Sequence, residues 1–454
     1  MISFNVTAGS SSSGSGIDVT SVVNQILDAE RGPETVWKSQ QTSLTLQAAA
    51  LTSINSSLSS LEDKVNALKD LSGVLANKSA TSSQTGILTA SAQSSAVPGS
   101  HTVIVSNLAT ISSAYTDPVA TSSTPLAHGS ISIQVGQGQA AQITVDDTND
   151  TLDNLASDIN SQNIGVTASV INDASGARLA LVSQTSGAPG DLTITGNIAG
   201  LNFHKSVAGT NAVLSIDGVP ISSVSNTVSN VLPGVTLNLV SASPGTPVQL
   251  SVAPDTAGVK QAVNDFVASY NMVINAINAQ FTFDPTTNTA GSLAGNSSLR
   301  FLQTDLLLDV TYSLPGDNTI DSLRSLGVNM ADDGTLSVDD AKLTDAVNNH
   351  FADVQNFFQA ANSSSFGANF GADLTKLTDT TDGIINVNLA ENKSTQAMLT
   401  QQINDLEDRL AVQQKTLIAQ YSAVDAMLRQ FPSIMAQLTS QLGTLDQLYS
   451  TTNG

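Results

Sequence analysis

The chain contains no cysteine, which excludes disulfides, thiol catalysis and thiolate metal sites. Aromatic residues make up 4% of its 454 residues, with a single tryptophan, Trp37. Charge is scarce: Asp, Glu, Lys and Arg together are 12% of the chain, so solubility rests on Ser, Thr, Asn and Gln. Basic residues are scarcest, 16 against 38 acidic ones, and the formal net charge is −22. That balance argues against nucleic acid, whose phosphates would stay unneutralised, and against an anionic membrane surface. No apolar run approaches the roughly 18 residues of a membrane span. Residues 1–6 carry neither a basic region nor an apolar core, so no secretory signal peptide is expected. A chain working outside the cell would then leave by another route.

What the sequence does have is a set of apolar stripes. Between residues 389 and 449, Tyr421, Val424, Leu428, Phe431, Met435, Leu438, Leu442, Leu445 and Tyr449 follow in steps of three and four, a heptad seam. Leu399, Ile403, Leu406 and Leu410 begin the same pattern, with one break of register expected before Tyr421. Leu44, Gln47, Leu51, Ile54, Leu58, Leu61, Val65, Leu68, Ser72 and Leu75 repeat these steps, as do Val259, Val263, Phe266, Tyr270, Val273 and Ile277. Such a stripe cannot bury itself; it needs a partner helix from this chain or another.

The two ends of the chain match. Residues 7–16 are Gly/Ser-rich, the composition of a mobile segment. Asp18 then reads as an N-cap, with Ile17 and Val22 at the positions of a hydrophobic staple. The helix it opens should stop at Gly32-Pro33, leaving Trp37 between helices as a packing anchor. Shorter helices are expected near 298–312, 338–360 and 367–379.

Between the helical parts the texture changes. Period-two stretches at 101–105, 131–135, 142–145, 166–171, 178–182, 192–195, 213–216, 235–240 and 248–252 read as strands. Turn signals separate them, among them Asn172-Asp173-Ala174-Ser175-Gly176 and Asp217-Gly218. One helix interrupts, with Leu152, Leu155, Ala156 and Ile159 on one face. The expected fold class is α+β and multidomain, with terminal coiled-coil helices and a helical-bundle stalk. Two small β-rich domains are inserted between the helical halves. The expected divisions are 1–42 with 391–454, 43–84 with 256–390 as the stalk, 85–115 with 206–255 as one β-rich domain, and 116–205 as a tip domain.

Few constellations invite chemistry. Gly136-Gln137-Gly138-Gln139-Ala140-Ala141 mimics a dinucleotide fingerprint, but Gln142-Ile143-Thr144-Val145 continues as a strand where that motif needs a helix, so a hairpin turn is expected. Asn329, Asp333, Gly334 and Asp340 sit at calcium-loop spacing. Ala331 spoils the third position, so a turn followed by a helix capped by Ser337 is the stronger reading. His101, His128, His204 and His350 are isolated in sequence. No nucleophile elbow or Walker motif is present. Catalytic, cofactor and metal residues are therefore not expected.

Four segments resemble a known family, the bacterial flagellar filament cap proteins, also called flagellar hook-associated protein 2. One is Ser15-Gly16-Ile17-Asp18-Val19-Thr20-Ser21-Val22-Val23-Asn24-Gln25-Ile26-Leu27, running on to Pro33. The next is Thr151-Leu152 through Ile159-Asn160, with Gly165-Val166-Thr167-Ala168 and Arg178-Leu179-Ala180-Leu181. A third is Ser225-Asn226-Thr227-Val228 and Pro233-Gly234-Val235, leading to Phe266-Val267 and Tyr270-Asn271. The last is Leu326-Gly327-Val328 with Asp333-Gly334-Thr335-Leu336.

The resemblance implies a non-enzymatic cap at the distal end of the filament, secreted by the flagellar type III apparatus. It would form a ring-like homo-oligomer beneath which exported flagellin folds and inserts. Implied partners are flagellin, hook–filament junction proteins and an export chaperone on the C-terminal helix; some relatives also bind host mucin. The residues expected to touch other subunits or the filament are Ile17, Val22, Val23, Ile26, Leu27, Leu406, Leu410, Tyr421, Val424, Leu428, Phe431, Leu438, Leu442 and Leu445. Two other readings remain open: a hook–filament junction type of flagellar protein, and an extracellular adhesin on a helical stalk. The terminal seams are expected to order only against other subunits.

Overall fold

The structure, a computed structural model, describes residues 17–285, 289–359 and 364–451, with residues 284 and 445–451 described by backbone only. The Gly/Ser-rich segment 7–16, with Ser15 and Gly16 of the N-terminal signature, lies outside the described residues. So do the side chains of Leu445 and Tyr449.

The chain opens with α1 (Val19–Glu30) and α2 (Gly32–Lys69). Next come β1 (Lys78–Ser82), β2 (Leu88–Ala92), β3 (Gly99–Asn107), β4 (Ile111–Thr116), β5 (Gly129–Val135) and β6 (Ala141–Val145). Helix α3 (Leu152–Ser161) precedes β7 (Val166–Asp173), β8 (Gly176–Ser186), β9 (Leu192–Gly196), β10 (Phe203–Val207) and β11 (Ala212–Ile216). Then follow β12 (Val219–Ser223), β13 (Thr227–Leu232), β14 (Val235–Leu239), β15 (Val248–Pro254) and α4 (Thr256–Phe281). The rest is β16 (Phe283–Asp284), β17 (Thr289–Ala290), α5 (Ser297–Asp309), β18 (Val328–Met330), β19 (Leu336–Val338), α6 (Asp340–Asn349), α7 (Phe351–Gln359), α8 (Phe366–Thr378) and α9 (Ile384–Thr451). This is an α+β multidomain chain with helical termini.

The chain divides into two compact units: Met1–Asn66, Asn264–Leu343 and Asn356–Gly454 in one, Ala67–Val263 and Thr344–Gln355 in the other. The first is helical. Its centre is aromatic: Phe266 and Tyr270 of α4, Phe357 and Phe358 of α7, and Phe366 and Phe370 of α8 are all fully buried. Phe357 stacks on Phe366 with ring centroids 5.1 Å apart, and Phe266 meets Phe366 edge-on at 5.8 Å. Aromatic edges against faces add to the burial term. Six of the chain's few rings are thus gathered in one place.

The second unit has two cores. In one, the sheet β1-β15-β3-β11-β12 and the sheet β13-β14-β2 share Leu88, Val103, Val105, Leu214, Leu237 and Leu250. In the other, β10-β4-β8-β7, β6-β5-β9 and α3 enclose Ile131, Ile133, Leu152, Ile159, Leu179 and Leu181. The chain enters and leaves the second core side by side: Thr110 N–H donates to Thr210 O at 2.9 Å. Asp217 and Gly218 both have positive φ, 52° and 82°, and form the tight β11–β12 turn that their sequence signals. Gly136 also has positive φ, and a Cβ there would lie 2.2 Å from Pro189 O, so the Gly136–Ala140 stretch is a glycine-dependent hairpin between β5 and β6.

Several expectations need correction. Gly32-Pro33 does not separate two helices by a loop: α1 is capped at Arg31 and α2 starts at once. Proline lacks an N–H, but a first-turn N–H has no helical partner, so Pro33 opens α2 as readily as it closes α1. Trp37 therefore lies within α2. That helix ends at Lys69, so Leu75, though buried, stands beyond it. Residues 78–82, not among the expected strands, form β1, paired with β15, and β4 pairs with β8 and β10, so it belongs to the second β core although all but its last residue lies within 85–115. The 338–360 helix is two, α6 and α7, parted at His350. The cap of α6 is Asp339, whose Oδ1 accepts the Lys342 N–H at 3.1 Å; Ser337 lies in β19. Asp333 spends its carboxylate on Thr335, 2.9 Å from its N–H and 2.6 Å from its hydroxyl, closing the β18–β19 turn.

Folding also pairs three of the histidines. His101 meets Asp217 at 2.7 Å, His204 meets Asp117 at 2.8 Å and His128 meets Asp147 at 3.1 Å. The His101 bond, then the Thr102 N–H, hold Asp217 below the usual carboxylate range.

Candidate assembly interface

The long helix α9 carries a continuous apolar seam, and α1 covers only its first part. Asp18 caps α1 by accepting the Ser21 N–H at 3.1 Å. The helix turns Val23 and Leu27 against Leu406 and Leu410; these four are 0, 5, 3 and 1% exposed. Val19, Trp37, Leu417 and Tyr421 pack around them. As the numbers rise along α1 and α2 they fall along α9, so the pairing is antiparallel. Ile17 N–H donates to Asp425 Oδ1 at 2.8 Å, Arg31 grips Glu407, Gln41 reaches Thr400 at 2.8 Å, and Asn392 donates to Leu44 O at 3.0 Å.

The polar fittings of this seam are few. Arg31 Nη2 lies 3.0 Å from Glu407 Oε2, with Nη1 on the other oxygen, a two-pronged pair that holds the guanidinium proton more tightly. Glu34, only 5% exposed, is bonded by Lys38 and Arg31, and these bonds, Lys38 first, hold it below the usual range. Asp425 is held down by Arg429 at 2.8 Å and then by the Ile17 N–H.

The expected break of register is present as a stutter. Leu406, Leu410 and Gln414 follow in two successive steps of four, after which Leu417 and Tyr421 resume the alternation of three and four, and α9 carries this shift without interruption.

Among the described residues no partner helix accompanies α9 from about Val424 onward. Val424 is 44% exposed, Leu428 40%, Phe431 60%, Leu438 48% and Leu442 60%, on a helix that continues to Thr451. Met427 and Ile434, at 70% and 47%, add a second line beside them. Sequence reading by strict a/d spacing passed these two over; their mutual spacing of seven was the signal. Of the expected contact residues, Val23, Leu27, Leu406, Leu410 and Tyr421 come together within the chain. Val22, Ile26 and Ile17 are partly buried beside them. Val424, Leu428, Phe431, Leu438 and Leu442 are exposed among the described residues. Pro432 lies inside this exposed stretch.

Three asparagines from the family-like segments have a different role. Asn226 accepts the Ala109 N–H at 2.7 Å and donates to Ala109 O at 2.9 Å. Asn160 does the same with Ala168, both at 2.8 Å, and Asn271 with Leu336 at 2.7 and 2.8 Å. Each amide copies a peptide group and staples a loop or strand to its neighbour.

A two-core β unit, helical termini and an apolar helix face left bare define a structural assembly subunit. Comparison with known proteins narrows the class. A protein-family model for the flagellar hook-associated protein 2 C-terminus matches residues 209–453, and one for the N-terminus of the same protein matches residues 15–112. The chain belongs to the flagellar hook-associated protein 2 family. It is similar to the B-type flagellar hook-associated protein 2 of Pseudomonas aeruginosa, 29% identical over 94% of this chain and 96% of that one. The flagellar hook-associated protein 2 of Escherichia coli is 28% identical over the same shares. Among solved structures, the D1-D2-D3 domains of the Escherichia coli flagellar cap protein FliD superpose with a TM-score of 0.56 at 26% identity, over 76% of this chain and 99% of that one.

Proposed function

We propose that this chain is a structural subunit of the flagellar filament cap, working by assembly at the distal end of the filament. The observation that carries the reading is the bare distal seam of α9 in a member of this family. An isolated amphipathic helix is marginal in water, and a face this apolar lowers its free energy by docking on other helices. The finer reading follows from the same surface. Copies of the chain form a ring through their helical segments, and Val424, Leu428, Phe431, Leu438, Leu442 and Leu445 meet neighbouring subunits or the filament. Flagellin folds beneath the ring, junction proteins receive the cap on a new filament, and an export chaperone covers the C-terminal helix before type III secretion. Charge is nearly absent from the seam, so contacts can be remade without fixed ionic registry as subunits are added. A mucin or glycan ligand for the second β core remains an expectation from relatives.

The experiment replaces Leu428, Phe431 and Leu438 together by serine in the full chain, in cells lacking the native gene. Flagellin should appear in the medium without filaments, while the purified variant keeps its β-sheet and helical circular dichroism. Filaments of normal length from this variant would refute the reading.

A further inference from the structure

A cleft of about 410 Å³ opens in the helical unit at the root of α9. Its walls include Asp305 and Asp309 of α5, Asp373 and Lys376 of α8, and Asp382 and Ile384 where α9 begins. Asp305 and Asp309 are one turn apart, and both feel the charge of Asp373 on α8. Four carboxylates, three of them on α5 and α8, therefore share one cleft with a single ammonium. That ammonium, Lys376, lies 2.7 Å from Asp373 and is 75% exposed, so water screens it.

Asp309 is the constrained member. Its Oδ2 is shut off from solvent and meets no donor. Burying an ionised oxygen without a donor is costly, and two facing carboxyls can bond only when one carries a proton. Among the described residues no group of three or more His, Asp or Glu is placed to hold a metal ion. A proton answers both needs of the site: it neutralises Asp309 and supplies the missing donor.

We propose that Asp309 and Asp373 form a proton-operated latch at the root of the long helix. With one proton shared between them, α5 and α8 close on each other. When it passes to water, repulsion among Asp305, Asp309 and Asp373 loosens the junction from which α9 springs. The proposal does not depend on the cap reading.

The electrostatics agree with the geometry. Burial first, then Asp373 and Asp305, push Asp309 up to about 7, with Lys376 pulling the other way. Burial and then Asp373 push Asp305 up as well. From α4, Tyr270 faces the same region; burial and the charge of Asp309 raise its phenol, so it stays neutral and cannot offset the carboxylates. Asp382 adds a further carboxylate at the α9 side. The folded Asp309 keeps its proton where an unfolded one, near 3.9, has lost it, so folded stability falls as pH rises from about 4 to about 7 and is level above. Carboxylates held below their usual range, such as Asp217 and Asp333, act in the opposite direction and only under more acid conditions.

The test is amide exchange on the full chain from about pH 5.5 to about pH 8, corrected for intrinsic rates. Protection of α5 and α8 should fall roughly tenfold or more across this range, in step with the loss of one proton. Asp309→Asn should hold it high and flat. Asp373→Asn removes the same shared proton from the other side and keeps the test open if Asp309→Asn does not fold. Asp305→Asn should keep the slope and move its midpoint to lower pH. Flat protection in the unaltered chain, a slope that survives Asp309→Asn, or a midpoint unmoved by Asp305→Asn would overturn the latch.

Discussion

Leu410 and Leu438 offer a matched pair. They are the same residue, four heptads apart on α9 and in the same phase, yet one is 1% exposed and the other 48%. Truncating a buried leucine to alanine costs about 2–5 kcal/mol, depending on how far the site collapses. Around Leu410 the cover is thin, α1 with Trp37 of α2 packed at the cluster, and free to settle inward, which places the cost near the low end, about 2–3 kcal/mol. That is roughly a 30- to 150-fold increase in local opening. At Leu438 little apolar area is lost on truncation, and the change should stay within about 0.5 kcal/mol, roughly twofold. Amide exchange of monomeric protein reads both. Leu410→Ala should deprotect α1 and the facing residues 403–414, and Leu438→Ala should leave them as they were. Filament growth should respond in the reverse sense for Leu438→Ala, which is silent in the monomer and damaging in assembly. Equal losses of protection from the two substitutions would refute the division of the seam into covered and bare halves.

Asn226→Ala should lower the stability of the first β core by about 2–3 kcal/mol, because the N–H and C=O of Ala109, itself 7% exposed, lose both partners. Thermal denaturation followed by β-sheet circular dichroism would show it, and Asn226→Asp, which keeps only the acceptor, should recover part of the loss. Excising residues 111–209 should leave the first β core folded and ring assembly intact. Thr110 and Thr210 are already hydrogen-bonded neighbours, at 2.9 Å, and every buried residue of that core lies outside the excised stretch. Size-exclusion chromatography of the shortened chain checks both points, and an aggregated or monomer-only product would count against them.

Much of this architecture could be read from spacing alone. The α4 stripe is the clearest case: Val259, Val263, Phe266, Tyr270, Val273 and Ile277 are all 0% exposed. Two of the strands that escaped notice share a physical cause, which does not extend to β4, paired on both sides. Lys78–Ser82 and Phe203–Val207 are edge strands, paired on one side only, so they need little apolar alternation. The α1–α2 boundary was legible as a boundary, but its span was not, because one proline signal serves both a stop and a start. The interface was half legible. Heptad spacing locates the seam, but says nothing of which residues α1 covers, since α1 and its stretch of α9 lie some 380 residues apart in the chain, as with Gln413 and Glu30. The Asn226 and Asn271 staples and the Asp309 cleft were invisible because each depends on contacts between residues far apart in sequence, 117 and 65 positions for the two staples; the Asn160 staple spans only eight.

Pro432 carries a last consequence. Within a helix it removes one rung of the ladder and presses on the carbonyl four residues before, that of Leu428. The arm is therefore compliant at one place and stiff on either side. If its end is gripped by a moving neighbour, the arm swivels at that rung, and the twist does not travel back to the α1 clasp at Leu406 and Leu410. A part that must keep its footing while the surface under it is rebuilt gains from such a wrist.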